Sequence, residues 1–362
     1  MRILAIDIGG GTQDILLFDS SVPIENCLKM VMPSPTHIVA RRIEVATRRG
    51  QPIVLTGFTM GGGPNQGAVK DHIRAGLPAY ATPDAARSFD DDLSQVEALG
   101  VKLVSEDEAR QIKGAEVIEL RDVDLKALGQ AFSSFGVRLD FDALSIGVLD
   151  HGAAPPEVSD RRFRFDYLAK AMRQRNDFSS FIFLASEVPD FLTRMRAVAD
   201  SLPGLDVPLL LMDTAPLGAL GALEDGEVRR RRERLVVNLG NMHTMACRLR
   251  GDAILGLFEH HTGQLTTQKL DGYLSRFLSG ELSSQEVFDD HGHGCLILEK
   301  RDSKPFLAVT GPRRALMAES ILKPYFAIPH GDMMLSGSFG LVRAFALKVE
   351  AWREEIQVVL GA

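Results

Sequence analysis

The sequence predicts an α/β chain folded as two lobes with a cleft between them. Three observations carry this expectation. The same order of elements, β-β-β-α-β-α with extensions, reads twice along the chain. A glycine turn stands between the first two strands of each copy. The composition shifts sharply at Glu224–Arg234 (EDGEVRRRRER), which places the boundary. The expected lobes are 1–224, with inserted segments, and 225–362, with the last helix able to pack back on the first lobe.

In the first copy, Arg2–Ile8 reads as a buried strand, Ile15–Phe18 as its hairpin partner and Cys27–Met32 as a third strand. Helical spacing covers 36–49, and Pro52–Thr56 returns to strand. A second glycine turn, Thr59–Gly67, leads into a helix ending near Ala75. Residues 84–130 show only short amphipathic stretches and the acidic run Asp90–Asp92, read as a solvated helix start or loop. Leu144–Leu149, Phe181–Ala185 and Pro208–Met212 are apolar strands, and a small-residue helix, Leu217–Leu223, follows. Glu224–Arg234 reads as a solvated connector, with an anion site as the alternative. In the second copy the strands are Leu235–Asn238, Thr244–Leu249, Ala253–Phe258, Phe306–Val309 and Met333–Leu335. Helices are expected over 265–278, after Arg314, and from Ser336 to about Gln357.

Bulk properties narrow the function classes. With 362 residues, 45% apolar and 25% charged, the chain can bury large cores. A net charge of −7 argues against a broad nucleic-acid surface. The first apolar run, Ile3–Ile8, is short and contains Asp7, so neither a signal peptide nor a membrane span is expected. Cys27, Cys247 and Cys295 are scattered and odd in number, which fits a reducing cytoplasm and no disulfide framework.

The most informative stretch is Ile6-Asp7-Ile8-Gly9-Gly10-Gly11-Thr12-Gln13-Asp14. Three glycines remove every Cβ from a turn between two strands, so backbone N–H groups can approach an anion. Thr12 adds a hydroxyl donor. Asp7, ending a buried strand, can hold waters of a Mg²⁺ ion. No Lys follows and the next element is a strand, so this is neither a Walker loop nor a dinucleotide fingerprint. The second turn, Asn238-Leu239-Gly240-Asn241-Met242-His243-Thr244, holds the same place in the second copy. It offers Gly240, the amides of Asn238 and Asn241, and the Thr244 hydroxyl. Two such hairpins face to face would grip a polyphosphate from both sides.

At these residues the chain resembles the superfamily of actin, heat-shock chaperones, sugar kinases and acetate kinase. Asp7–Asp19 looks like its first phosphate hairpin and Asn238–Thr244 like its second. Val309–Arg314 (VTGPRR) looks like its adenosine loop, while Met212–Leu223 and Ser336–Leu347 look like its two connecting helices. The resemblance implies two ribonuclease-H-like (actin-like ATPase) lobes with ATP and Mg²⁺ between them. It implies phosphate contacts at Gly9, Gly10, Gly11, Thr12, Asn238, Gly240, Asn241 and Thr244. Nucleotide contacts are implied at Gly311 and Gly337, and a guanidinium on the adenine face from Arg313 or Arg314. Asp7 would be both metal-holding and catalytic. Asn238 departs from the superfamily's Asp, and Pro312 from its second glycine. More narrowly, the chain looks like a prokaryotic family often named for a pyruvate formate-lyase activating enzyme. Such an enzyme needs a compact three-Cys motif that this sequence lacks.

Two further constellations stand out. Asp150, at the end of a buried strand, is a candidate base for an accepting hydroxyl, with Asp213 a second choice. His260, His261, His291 and His293 are a candidate transition-metal set, with Asp289, Asp290, Cys295 and His243 nearby in sequence. Gly61-Gly62-Gly63 lines either the substrate side of the cleft or a plain strand-to-helix turn. The expected function is an ATP-binding protein, a Mg-dependent ATPase or small-molecule kinase working by lobe closure on an unidentified small molecule or protein. The alternatives are a non-hydrolysing nucleotide-responsive adaptor and a metal-dependent enzyme built on the His-rich loops.

Overall fold

A computed structural model of the chain describes residues 1–301 and 303–361. Within them the chain forms three sheets. It begins with an antiparallel meander, β1 (Arg2–Ile8), β2 (Thr12–Asp19) and β3 (Leu28–Pro33). It then leaves for a separate parallel sheet of β4 (Ile53–Gly57), β5 (Ala79–Ala81), β6 (Val101–Leu103) and β7 (Glu116–Leu120). It returns as β8 (Ala143–Val148), β9 (Ile182–Leu184) and β10 (Leu209–Asp213), completing the first sheet in the order β3-β2-β1-β8-β10-β9. The second large sheet holds β11 (Glu233–Leu239), β12 (His243–Arg250), β13 (Ala253–His261), β14 (Gly294–Ile297), β15 (Phe306–Thr310) and β16 (Tyr325–Phe326). Its order is β14-β13-β12-β11-β15-β16.

Both large sheets share one central plan. The first strand of an antiparallel meander pairs in parallel with a later strand, and that strand with another. This is the ribonuclease-H-like arrangement, present twice, and the fold class expected from the sequence holds.

Alternation along each central strand explains how the layers stack. Ile3 and Ala5 of β1 face one core while Leu4, Ile6 and Ile8 face another. Val236 of β11 joins the core of Ile3, and its neighbours Leu235 and Val237 face away. The shared core lies between the two sheets. Two helices fill it, Thr214–Ala222 and Ser336–Lys348, through Leu217, Leu220, Phe339 and Phe345. They cross at backbone contact: a Cβ added to Gly221 would lie 1.7 Å from the Ser336 carbonyl oxygen. Only glycine permits that approach. The Arg343 guanidinium grips the Glu224 carboxylate at 2.6 and 2.9 Å, fastening the end of the crossing.

Several expectations need correction. The strand at 52–56 belongs to the inserted parallel sheet, which has its own core of Ile53, Leu55, Val69 and Ile118. Residues 333–335 form no strand, and β16 takes the edge position instead. A 3-10 turn, Arg314–Met317, stands where a helix was expected. The final helix is two, broken at extended Val349, with the second spanning Glu350–Val359. The connector is solvated at Gly226 and Arg230–Arg232 and partly or wholly buried elsewhere. Glu224 and Asp225 are buried, and Asp225 accepts from the Tyr325 hydroxyl and the Ile328 N–H. Among the described residues, no helix is long and apolar enough to cross a membrane.

Candidate functional site

The two hairpin turns converge on one cleft of about 400 Å³, within the range of roughly 300–1,000 Å³ that holds small ligands. The turns close identically: Gly9 N–H donates to the Thr12 carbonyl at 2.9 Å, and Gly240 N–H to the His243 carbonyl at 2.9 Å. Their tips touch. The space a Cβ on Gly11 would need is taken by the Asn241 amide, and that beside Gly10 by Met242. Asp7, Gly9, Gly10, Thr12, Asp150, Asn238, Gly240, Asn241, Gly311 and Gly337 line the cleft as expected.

Four expected contacts fall elsewhere. Gly11 lies beneath the Asn241 amide, outside the cleft wall. Thr244 is buried and its hydroxyl pairs with that of Thr262 at 2.9 Å. The matching closure bonds make His243, not Thr244, the counterpart of Thr12, and the next residue on a strand points to the opposite face. Arg313 is exposed outside the cleft. Arg314 reaches back to the Gly311 carbonyl at 3.4 Å and the Met333 sulfur at 3.5 Å. Pro312, Met333 and Met334 line the same cleft.

The residue missed by sequence reasoning is Asp14. It sits directly across the β1–β2 ladder from Asp7, a register that the turn length encodes. Asp7 Oδ1 accepts from the Thr214 hydroxyl at 2.6 Å, while buried Asp14 Oδ1 has no partner. Burial pushes Asp7 up to about 7, against the pull of the Thr214 hydroxyl and with the charge of Asp213 adding. Burial and then the charge of Asp7 push Asp14 up to about 8. Neither carboxyl has an ion-pair partner among the described residues. Two such carboxylates facing a cleft, one oxygen unsatisfied, suit a divalent cation.

Asn238 takes the place in the second hairpin that Asp7 takes in the first. Its Nδ2 donates to the Ala215 carbonyl at 3.3 Å, and its side chain packs on Gly218 and Gly311. A carboxylate cannot donate there. Asn238→Asp is therefore expected to lower stability by about 0.5–1.5 kcal/mol, the net worth of a hydrogen bond. Melting curves of the folded variant check this; unchanged stability would contradict it.

Asp150 and Asp213 are both engaged. Asp150 accepts from Gly152 N–H at 2.8 Å and Met195 N–H at 2.9 Å, so its carboxylate organises the loop after β8. Asp213 receives Arg164 Nη1 and Nη2 at 2.6 and 2.9 Å. Arg164, fully buried on the helix Asp160–Gln174, also binds Glu259 of β13 at 2.9–3.1 Å. One guanidinium thus joins a carboxylate of each large sheet. Arg194 pairs with Asp122 at 2.7 and 2.9 Å and caps the Leu149 carbonyl, tying the inserted sheet to the same loop. Gly61–Gly63 line the cleft wall on that side, with Gln66, Arg87 and Asp91.

The expected metal set does not assemble. His260 turns to Asp290 at 3.1 Å, and Tyr273 donates to the same carboxylate at 2.6 Å. His261 neighbours His260 on β13 and so faces the other way, its ring centroid 5.0 Å from that of His243 and 4.6 Å from that of His293. His291 is exposed in a turn at φ 66°. Only His293 of the four reaches a metal-competent group, and it meets His151 and His243 there. The three cysteines are each buried, and none joins such a group among the described residues. Among the described residues the three cysteines therefore form no three-Cys iron–sulfur seat.

Among solved structures the chain is similar to the inorganic polyphosphate/ATP-glucomannokinase from Arthrobacter sp. strain KM, at 12% identity and TM-score 0.37, covering 96% of this chain and 99% of that one. It is similar to the activator of the 2-hydroxyisocaproyl-CoA dehydratase from Clostridium difficile with bound ADPNP (9%, 0.37, 98% of each). It is also similar to the ROK hexokinase from Thermus thermophilus (13%, 0.33, 96% and 100%). Likenesses of this degree carry nothing about activity. Among curated proteins, none matches the chain. A family model matches residues 60–316, the greater part of the chain, and the chain belongs to that family, described as "Putative pyruvate format-lyase activating enzyme (DUF1786)".

Proposed function

We propose that the protein binds ATP with Mg²⁺ between the two hairpins and works as an ATPase or small-molecule phosphotransferase. One observation carries the reading: two turns with the same closure face each other over a buried pair of carboxylates, Asp7 and Asp14, with an oxygen left unsatisfied. Asp7 and Asp14 would hold the metal's water shell. Gly9, Gly10, Thr12, Gly240 and Asn241 would meet the phosphates through backbone N–H groups and the Thr12 hydroxyl. Gly311, at φ 98°, would bring backbone close to the nucleoside, with Met333 and Met334 as its apolar floor. Gly337 leaves the room that Asp7 occupies: a Cβ there would lie 1.8 Å from Asp7 Oδ2. The bound Mg²⁺ would supply neutralisation of phosphate charge. The acceptor would lie against Gly61–Gly63 and Arg87.

A specific observation favours a second reading, a slowly hydrolysing nucleotide sensor. Asn238 brings no charge, and both Asp150 oxygens are held by backbone. The two readings share the binding step. A nucleotide at about a hundred times its Kd stabilises by about 2.7 kcal/mol. ATP or ADP with Mg²⁺ is therefore expected to raise the melting temperature by several degrees, and less so with EDTA. No shift with either nucleotide in folded protein would overturn both readings, and a shift without phosphate release would select the sensor.

A further inference from the structure

Beside the cleft, three imidazoles from separate loops meet. His151 follows β8, His243 opens β12 and His293 precedes β14, and one ring nitrogen of each lies within 4.8 Å of the others. His293 is 1% exposed, and neither of its ring nitrogens has a hydrogen-bond partner. A buried histidine serving only as packing would find a partner for at least its N–H. His243 Nδ1 lies 3.2 Å from Glu259 Oε1, and Arg164 clamps that carboxylate. A carboxylate on one imidazole nitrogen fixes the tautomer and presents the other lone pair outward, as behind most metal-bound histidines. Three nitrogen donors suit zinc and its neighbours and do not suit Mg²⁺, which takes oxygens.

We propose that His151, His243 and His293 hold one divalent transition-metal ion of the zinc class, with a coordination position open to the cleft that His151 and His243 line. The ion would bridge the loop after β8 of the first large sheet to the β11–β12 hairpin of the second. The site does not depend on nucleotide.

The test uses tag-free, full-length, nucleotide-free protein stripped with chelator and titrated with Co²⁺. One equivalent giving visible ligand-field absorption, displaced by Zn²⁺, is expected. No stoichiometric binding to folded wild-type protein overturns the proposal. His293→Gln and His151→Gln are each expected to weaken binding by more than the roughly 10–100-fold that loss of an outer partner costs. His291→Gln is expected to change nothing. If His293→Gln does not fold, His151→Gln, on a half-buried loop, decides. Wild-type affinity in a folded ligand variant, or loss in His291→Gln, places the metal elsewhere and overturns the assignment.

Discussion

Gly221→Ala is expected to remove the folded protein or lower its melting temperature by about 5 °C or more. The new methyl would sit 1.7 Å from the Ser336 carbonyl oxygen and 2.4 Å from its carbon. Ordinary overpacking costs about 1–3 kcal/mol because side chains move aside. Here both partners are backbone of buried helices, Thr214–Ala222 and Ser336–Lys348, that fill the layer between the large sheets. Relief requires moving one helix away from the other, which puts the cost in the exceptional class above about 4 kcal/mol. For a chain of this size that corresponds to the stated fall. Thermal melting of the purified variant checks it, and an unchanged transition would show that the helices do not cross this closely. Gly67→Ala is the control, since nothing lies within 4 Å of the added atom there.

Asp7→Asn is expected to cut nucleotide turnover by about 10³-fold, the scale on which single charge-stabilising groups act. The same change is expected to raise the melting temperature of the free protein. Asp7 keeps its bond from the Thr214 hydroxyl as an amide, and the substitution removes a buried carboxylate faced by Asp14 and Asp213. A more stable and inactive variant is the signature of a site that holds charge for a ligand. Lower stability together with unchanged turnover would remove Asp7 from the mechanism.

How much of this the sequence discloses depends on the range of the signal. The first hairpin is legible because three glycines interrupt two buried strands, and its register even implies the Asp7–Asp14 pair. The crossing helices are legible from their run of small residues. The inserted parallel sheet is not: β5 and β6 have three residues each, too few for a period to show. The last strand is hidden for the same reason, since β16 is two residues long. Thr244 lies one residue past the tip because the turn's closure, not its sequence, sets which residue follows it. Of the histidine set, His261 and His293 come together while His260 is turned away, because neighbours on β13 point to opposite faces. His151, from the far side of the chain, joins His243 and His293 only once the two large sheets are stacked.

The most direct measurement is a crystal structure of the full chain with a non-hydrolysable ATP analogue and Mg²⁺. The expected result places the phosphates between Gly9–Thr12 and Gly240–His243, with the cation against Asp7 and Asp14 and the base near Gly311 and Met333. An empty cleft at saturating analogue, or the analogue seated away from both hairpins, would contradict it.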